Sequence, residues 1–316
     1  MTDTPQQYTA TTDDAKKRLD LFLLEHFPTE SRSHTQRRIK RGEVTVNGVV
    51  PSVHQFLKNG DVIVVGKETP ATPPAPTRIN ARILAKTSGP LNIIRETSDY
   101  LIINKPAGVL VHPASEKKER TLVDMVLEKF PEIQQIGDDP SRPGIVHRLD
   151  RDVSGVMIVA RTWEMFEHLK KEFRLRHIRK EYVALVHGTP AKDEDEIDFS
   201  IARSKRRPGR MSAKPDASGR HASTRFTVEQ RYPNYTLLRV FPTTGRMHQI
   251  RVHLHAYGLP IVGDPLYHAR HHKNDLGIEQ PLLASVKLTF TDTHGKTQVF
   301  EAPIPEHFER VLSTLK

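Results

Sequence analysis

The chain contains no cysteine among its 316 residues. Disulfide frameworks, cysteine zinc sites and cysteine nucleophiles are therefore excluded. Long apolar runs are also missing, because no stretch approaches the roughly 18 residues that a membrane helix requires. The N-terminal segment is polar and carries acidic residues, unlike a signal or transit peptide. We therefore expect a soluble cytoplasmic protein.

Positively charged residues outnumber negatively charged ones in this chain. The chain has 48 Lys and Arg residues against 38 Asp and Glu residues, which gives a formal net charge of +10. Lysine and arginine gain affinity for polyanions by displacing counterions from phosphates, so this excess favours a nucleic acid partner. A basic enzyme without such a partner is the alternative that charge alone leaves open.

The length predicts about two domains. We predict a disordered tail at residues 1–15 and a compact module at 16–66. A proline-rich linker is predicted at 67–88, because GKETPATPPAPTR is unlikely to pack. The larger, second domain is predicted at 89–316.

The module at 16–66 is predicted to be a small α/β fold. RLDLFLLEHF has apolar residues at helical spacing, and EVTVNG and GDVIVV alternate as short strands, with Asn47-Gly48 as a turn. A second helix is predicted in SHTQRRIKRG, and its charges of nearly one sign favour a phosphate-facing surface. The basic residues expected to contact RNA there are Arg32, Arg37, Arg38, Lys40 and Arg41. Through RLDLFL, SRSHTQRRIKRGEVTVNG and LKNGDVIVV, the module resembles the S4 RNA-binding domain.

From about residue 90 the pattern predicts strands and helices in mixed order. Strands are predicted at DYLIINKP, GVLVHP, GVMIVART, KEYVALVHG and YTLLRVFP, with a hairpin at ASVKLTFTDTHGKTQVFEAP. Helices are predicted at TLVDMVLEKF, TWEMFEHLKKEFRLRH, QIRVHLHAYG and EHFERVLSTL, the second with Trp163, Phe166, Leu169 and Phe173 on one face. Because strands outnumber regular βαβ spacings, we predict an α+β fold on a mixed, mostly antiparallel sheet.

The most basic tract lies at residues 202–226, where glycine and proline interrupt regular structure. We predict a mobile loop or hairpin that closes over an RNA stem through phosphate contacts, which position RNA without specifying its sequence. The residues expected to make such contacts include Arg203, Arg206, Arg207 and Arg210. A solvated insertion is the alternative.

Four segments of the second domain occur in the order of a known set of motifs. They are DYLIINKPAGVLVHP at 99–113, HRLDRDVSG at 147–155, RKEYVALVHG at 179–188 and TGRMHQIRVHLHAYGLPIVGDPLY at 244–267. Together they resemble the RluA family of pseudouridine synthases, and the S4-like module in front resembles the RluC/RluD branch. The resemblance covers about residues 90–303. It implies a pseudouridine-synthase-like catalytic domain that converts uridine to pseudouridine in RNA.

The resemblance implies a role for individual residues. Asp150 takes the role of the family's single catalytic carboxylate, which attacks the sugar or acts as a base at it. Such a carboxylate must stay ionised beside bound RNA, and an adjacent cation favours that form. Arg251 matches the family's cation; Arg246 is the less favoured candidate and is expected to contact phosphate or hold the fold. Tyr182 matches a tyrosine that stacks on uracil and can shuttle a proton, and Arg148 is expected to fill the gap left by the flipped base.

The chain departs from the family pattern at two positions, where Val153 and Met247 each replace a threonine. These changes put fine geometry in question and leave the proposed carboxylate, tyrosine and cation untouched. The histidines within the motifs (His112, His147 and His248) are interpreted as packing and hydrogen-bonding residues, so we expect neither metal nor cofactor.

Three functions are candidates for this chain. A C5 methyltransferase is disfavoured because the chain lacks both cysteine and a glycine-rich cofactor loop. A pseudouridine synthase is favoured, with large-subunit ribosomal RNA as the expected substrate and transfer RNA as the alternative. A non-catalytic RNA-binding or ribosome-assembly protein derived from such an enzyme stays open. A monomer is expected.

Overall fold

The structure is a computed structural model. It describes residues 5–28, 30, 35–36, 38–39, 41–52, 55–66, 90–113, 119–204, 207, 209–215, 219–268, 276–278 and 280–315. The described residues form two compact units. The linker predicted at 67–88 lies outside the described residues.

The described part of the N-terminal unit contains a three-stranded antiparallel sheet with a helix packed on it. Its elements include β1 (Gln6–Thr9), a 3-10 helix (Thr12–Asp14), α1 (Leu19–His26), β2 (Val44–Val46) and β3 (Val62–Val65). The strands follow the order β1-β3-β2, and the described residues 35–36 and 38–39, in the segment of the predicted second helix, are also helical. Leu19, Phe22 and Leu23 of α1 pack in the core of this unit, as their helical spacing predicts. Asn47 and Gly48 have positive φ angles after β2, which fits the predicted turn.

The prediction of a disordered tail at 1–15 is wrong for its described part. Every residue of β1 pairs with β3, from Gln6 opposite Val65 to Thr9 opposite Val62. Thr11 and Asp14 then form a capping box on the 3-10 helix. The sequence gives little sign of this strand, because backbone pairing stabilises β1 while its side chains stay mostly exposed.

The C-terminal unit is built on a nine-stranded sheet in the order β4-β5-β6-β13-β7-β12-β11-β8, with β14 paired to β13. Its strands are β4 (Ile93–Glu96), β5 (Tyr100–Lys105), β6 (Ser154–Ala160), β7 (Arg179–His187), β8 (Glu194–Asp198), β11 (Ser223–Tyr232), β12 (Tyr235–Pro242), β13 (Leu283–Thr291) and β14 (Thr297–Glu301). The β6–β13 pair is parallel, and the other pairs in this sheet are antiparallel. The predicted α+β fold on a mixed, mostly antiparallel sheet is therefore confirmed.

Helices cover this sheet and complete its core. They are α2 (Leu122–Lys129), a 3-10 helix (Pro131–Gln135), α3 (Trp163–Leu175), α4 (Gln249–Ala256) and α5 (Glu306–Thr314). Helix α3 buries Met165, Phe166 and Leu169. The prediction placed Trp163 on this apolar face, but Trp163 is 46% exposed and contacts the face through the ring of Phe166, with 5.7 Å between the ring centres.

Two further segments show where local pattern and tertiary context differ. GVLVHP, predicted as a strand, is a loop, because the carbonyl groups of Leu110 and Val111 accept hydrogen bonds from the first N–H groups of α2. The basic tract forms a separate two-stranded hairpin, β9 (Ser200–Arg203) with β10 (Met211–Lys214), and then enters β11. Of the two predicted forms, the described residues adopt the hairpin.

Gly155 allows β6 and β13 to approach each other closely. Its φ angle is +120°, and a Cβ atom at this position would lie 2.0 Å from the carbonyl oxygen of Ser285. A side chain is therefore excluded by both the backbone conformation and the neighbouring strand. This contact fixes the start of β6, and with it the end of the loop that precedes β6.

Candidate active site

A cavity of about 590 Å³ opens in the C-terminal unit. Its walls come from the loop before β6, the C-terminal end of α3, strand β7 and the segment that leads into α4. Seven cationic side chains line it: Arg142, Arg148, Arg174, Arg176, Lys180, Arg246 and Arg251. Asp150 is the one carboxylate among the described lining residues. A cavity with this charge suits a polyanionic ligand.

The loop that carries Asp150 is held from both sides. Leu149 is buried, and the N–H of Val153 donates to the carbonyl oxygen of Asp150 at 3.2 Å, which closes a turn. The Arg151 carbonyl accepts from the N–H of Gly108 at 2.9 Å and from Lys105 Nζ at 2.9 Å. The Asp150 side chain is 18% exposed, so it faces the cavity from a fixed backbone.

Lys105 is a fully buried cation that supports this loop. Its Nζ donates to the carbonyl oxygens of Pro106 and Val109, both at 2.8 Å, and to that of Arg151. Burial lowers the pKa of Lys105 to about 7. Three carbonyl acceptors use all three protons of an ammonium group, so its hydrogen bonds favour the charged form.

Arg251 lies between two carboxylates. Its Nη1 donates to Asp150 Oδ2 at 3.1 Å. Its Nε donates to Asp264 Oδ2 at 2.6 Å and its Nη2 to Asp264 Oδ1 at 2.8 Å, which is a bidentate contact. Burial acts to lower the pKa of Arg251, but the bonds and charges of Asp264 and Asp150 outweigh burial and raise it. The structure thus brings together Asp150 and Arg251, which lie 101 residues apart in sequence.

Asp264 fixes the orientation of Arg251. It is 3% exposed, and its Oδ1 also accepts from the N–H groups of Leu266 at 2.8 Å and Tyr267 at 3.0 Å. Burial acts to raise the pKa of Asp264, and the hydrogen bonds and charge of Arg251 outweigh it, so the pKa lies below its usual value. Because Asp264 occupies one edge of the guanidinium group, Nη1 is left to point at Asp150.

Tyr182 lies in β7, lines the same cavity as Asp150 and is 8% exposed. Burial and the charge of Asp150 raise the pKa of its phenol, and a hydrogen bond with Ser285 acts in the opposite direction. The hydroxyl therefore keeps its proton at neutral pH. The ring and a neutral hydroxyl are what this residue offers to a ligand.

Tyr267 links the basic hairpin to the ion pair. Its hydroxyl accepts from the N–H of Met211 at 2.7 Å and lies 2.9 Å from Nδ1 of His248, the residue before α4. The guanidinium carbon of Arg251 lies over the ring, 5.3 Å from its centre. Val252 and Ile201 pack with Tyr267 in a small apolar cluster. The hairpin and the start of α4 are therefore one packed structure.

The motif histidines make packing and hydrogen-bonding contacts. His147 Nε2 accepts from the N–H of Ile158 at 3.1 Å, and its ring stacks on Phe173 with 4.8 Å between centres. Burial and the charge of Lys180 lower the pKa of His147 to about 3, so the ring is neutral. His112 Nε2 lies 3.1 Å from Arg148 Nη1. In the described part of the chain, no group of three His, Asp or Glu residues could hold a metal ion.

Other predicted RNA-binding residues fall into separate groups. Arg148 and Arg246 line the cavity, and Arg246 Nε also donates to the carbonyl of His221 at 3.2 Å. Arg203 and Arg207 are exposed on the hairpin, and Arg210 is half-buried there. Arg32, Arg37, Lys40 and Arg206 lie outside the described residues.

The structure corrects the prediction for Arg38. Its side chain is buried, with Nη1 2.6 Å from Glu30 Oε1 and Nη2 donating to the carbonyl of Gly66 at 2.8 Å. Its Nε also lies 3.4 Å from Glu43 Oε2. Arg38 is thus an internal ion-pair residue and does not face RNA. Arg41 is partly exposed, 3.8 Å from Glu43 Oε1, and stays a predicted phosphate contact.

Sequence reasoning missed three residues of this site: Lys180, Asp264 and Tyr267. Lys180 lies two residues before Tyr182, and strand alternation is the signal that both side chains share a face. Asp264 and Tyr267 lie within GDPLY, inside a quoted motif segment. An aspartate followed by proline is also typical of an ordinary turn, so the sequence alone gives no sign of its buried ion pair.

Comparisons with known proteins found similar sequences. Residues 99–256 match the family of RNA pseudouridylate synthases, and residues 17–63 match the S4 domain. A relative from Chloroflexus aurantiacus, named an uncharacterized RNA pseudouridine synthase, is 38% identical over 95% of this chain and 90% of its own. One from Xanthomonas campestris pv. campestris, named ribosomal large subunit pseudouridine synthase D, is 34% identical over 96% and 90%.

The fold also matches a solved structure. Human RNA pseudouridylate synthase domain containing 1 aligns with 71% of this chain and 94% of its own, with a TM-score of 0.55 at 22% identity. At this identity the likeness shows a shared fold. Within the described residues, no helix is long and apolar enough to cross a membrane.

Proposed function

Since this chain belongs to the RNA pseudouridylate synthase family and carries an S4 domain, we propose that Asp150 is its single catalytic carboxylate and that large-subunit ribosomal RNA is its substrate. The chain is an RNA pseudouridine synthase, an isomerase. The observation that carries the role of Asp150 is its isolation: it is the one carboxylate among the described residues that line a cationic cavity, and Arg251 holds it.

The reaction needs little beyond such a carboxylate. The N1–C1′ bond of uridine breaks, the base turns, and a C5–C1′ bond forms; C5 loses a proton and N1 gains one. The product is an isomer of the substrate, so no oxidant or reductant is consumed. Asp150 either attacks the sugar or removes a proton from it, and both routes start from an ionised carboxylate. Arg251 donates to Oδ2 of Asp150, which leaves Oδ1 open to the cavity.

Tyr182 serves in this proposal as a platform for the uracil ring. Its aromatic face suits stacking, which is worth about 1–3 kcal/mol per base. Because the pKa of its phenol is raised, it acts as a hydrogen-bond donor and would pass on the C5 proton only while accepting another. Arg148, exposed at the cavity wall, is placed to fill the gap that a flipped base leaves in the RNA.

The choice of RNA rests on two supports. The S4 domain and the cationic cavity suit structured RNA, and the relative from Xanthomonas campestris pv. campestris is named for the large ribosomal subunit. The exposed arginines of the hairpin add phosphate contacts beside the cavity. The predictions of a monomer, of no cofactor and of a cytoplasmic setting stay predictions.

The test compares the native protein with Asp150→Asn on unmodified total RNA without added cofactor. Pseudouridine is mapped by carbodiimide-dependent primer-extension stops. We expect stops in large-subunit ribosomal RNA with the native protein and a loss of at least about a thousandfold in rate with the variant. Asp152→Asn is the matched control, because Asp152 is a nearby carboxylate that does not line the cavity.

Other outcomes would overturn parts of the proposal. Stops confined to transfer RNA would refute the ribosomal substrate and keep the role of Asp150. Equal rates for Asp150→Asn and the native protein would refute the catalytic role. Tight RNA binding without stops by either protein would favour the non-catalytic alternative, with Val153 and Met247 as the first positions to restore to threonine.

A further inference from the structure

Lys180 faces the same cavity as Tyr182 but has no assigned task. Both residues lie in β7, and residues two apart in a strand point to the same face of the sheet. Their backbones are about 7 Å apart along the strand, because each residue advances it by about 3.3 Å. Lys180 is half-buried in the cavity wall, whereas Glu181, between them, points the other way and interacts with Lys287.

The ammonium group of Lys180 is poorly satisfied within the protein. Its Nζ has one hydrogen bond, to the carbonyl of Thr244 at 3.4 Å, which is a long contact. Lys105 shows what a fully satisfied lysine looks like in the same unit, with three carbonyl acceptors within 2.9 Å. None of the described carboxylates forms an ion pair with Lys180, although Asp150 lines the same cavity. Lys180 therefore keeps donors free for a ligand.

The neighbours of Lys180 do not supply the missing charge. Burial, together with the charge of Lys180, lowers the pKa of His147, so this ring is neutral and offers Lys180 no opposite charge. A Cβ atom on Gly245 would lie 3.9 Å from Lys180 Nζ, so the backbone there comes close without adding an acceptor beyond Thr244. A desolvated ammonium group without a counterion is costly, and an incoming anion relieves that cost.

We propose that Lys180 binds a phosphodiester group that flanks the target uridine and so anchors the nucleotide whose base lies at Tyr182. In an RNA-modifying enzyme, the anion that enters this cavity with the substrate is the RNA backbone. Two cationic residues that line the cavity differ in their partners. Arg251 already donates hydrogen bonds to two carboxylates, whereas Lys180 has no such partner among the described carboxylates and lies near Tyr182 on the same strand. This inference rests on the proposed site at Asp150.

The test measures binding in the Asp150→Asn background, which removes turnover. The dissociation constant of unmodified large-subunit ribosomal RNA fragments is measured over a range of salt concentrations. Loss of one phosphate contact reduces the slope of log K against log salt by about 0.7–0.9, which corresponds to about five- to eightfold weaker binding at 0.1 M salt. We expect this loss for Lys180→Met and its recovery in Lys180→Arg, since arginine keeps the charge.

Lys287→Met is the matched control, because Lys287 pairs with Glu301 and does not line the cavity. The second part replaces each phosphate that flanks the modified uridine by a neutral methylphosphonate. One of these replacements should reduce the slope of log K against log salt for the protein that keeps Lys180. The slope for Lys180→Met should not change. This part also tests the inference if Lys180→Met folds poorly, because it changes the RNA and not the protein.

Two results would overturn the inference. Weaker binding with an unchanged salt slope, together with sensitivity to 4-thiouridine at the target, would assign the contact to a uracil carbonyl. Unchanged binding and unchanged methylphosphonate sensitivity would leave Lys180 as a structural support of Thr244. The slope measurement needs no catalysis, so the two proposals can fail separately. If the protein with native Asp150 made no pseudouridine while Lys180→Met still lost one phosphate contact, the role of Asp150 would be refuted and that of Lys180 kept.

Discussion

Replacing Asp264 by asparagine tests whether the orientation of Arg251 matters for catalysis. The carboxylate accepts four hydrogen bonds, two from Arg251 and one each from the N–H groups of Leu266 and Tyr267. Asparagine has one oxygen and one NH2 group. If its oxygen keeps the two backbone N–H groups and Arg251 Nη2, its NH2 group faces Arg251 Nε, and two donors oppose each other.

The size of the effect follows from these contacts. Removing one partner of a buried ion pair costs about 3–5 kcal/mol. Arg251 keeps Asp150 as a partner and the backbone N–H groups keep an acceptor, so we expect about 3 kcal/mol less free energy of unfolding. A guanidinium group that turns away from Asp150 gives up a charge-assisted hydrogen bond of about 1.5–3 kcal/mol. That corresponds to a loss of about 10- to 150-fold in kcat.

The assay separates this effect from simple destabilisation. Urea unfolding gives the stability, and steady-state kinetics on ribosomal RNA gives kcat and KM. KM should change little, because Asp264 is buried and does not line the cavity. Asp292→Asn is the matched control: Asp292 is also buried and also accepts N–H groups, from His294 and Lys296, but has no contact with Arg251.

The expected pattern is a loss of stability in both variants and a loss of kcat in Asp264→Asn alone. A folded Asp264→Asn protein with native kcat would refute the argument, because Arg251 would then hold Asp150 without Asp264. If Asp264→Asn does not fold, Arg251→Lys asks the same question. Lysine keeps the charge but cannot bond bidentately to Asp264 while it also reaches Asp150, so kcat should fall.

Two further predictions concern the supports of the site. The pKa of His147 falls from 6.5 to about 3 on folding, so the unfolded chain binds more protons between these values, and stability is lost as pH decreases. Between pH 6.5 and 5 this loss of unfolding free energy is at most about 2 kcal/mol. In His147→Gln, whose side-chain oxygen can still accept from the N–H of Ile158, we expect the unfolding free energy from urea titrations to depend less on pH by that amount. Equal pH dependence in the two proteins would contradict the argument. Gly155→Ala should destabilise the protein by more than about 3 kcal/mol in thermal unfolding, because its Cβ would meet the Ser285 carbonyl. Gly108→Ala, with open space around the new Cβ, should cost about 1 kcal/mol. Similar costs for the two variants would refute the close-contact argument.

Much of the C-terminal fold follows from local pattern. The apolar runs of β6, β7 and β12 and the helical spacing of α3 and α5 are visible in the sequence. The segment GVLVHP has the composition of a strand, yet its carbonyl groups bond to the start of α2. Strand β1 shows the opposite case, because its partner β3 lies more than 50 residues away and its own side chains carry little apolar signal. Local pattern fails where the hydrogen-bond partner lies outside the segment itself.

The candidate site divides in the same way. Asp150, Tyr182 and Arg251 were predicted through resemblance to known motifs, whereas Asp264 and Lys180 were not singled out. The difference is physical: a carboxylate that orients another side chain, or a lysine that lacks a counterion, is defined by what surrounds it in space. Arg38 shows the reverse error, since a basic residue on a helix was read as surface although Glu30 and Glu43 hold it inside.

The contrast between the two aspartates explains why one of them is fit for chemistry. Both contact Arg251, but Asp264 accepts four hydrogen bonds and is 3% exposed. Asp150 accepts a single hydrogen bond from Arg251, and its side chain is 18% exposed. Asp264 therefore has little lone-pair density left for a substrate, and its pKa below the usual value keeps it ionised as a fixed support. Asp150 has a free oxygen directed at a cavity where the other charged lining residues are cations. The same side chain is thus a support in one environment and a reagent in the other, and Arg251 connects the two.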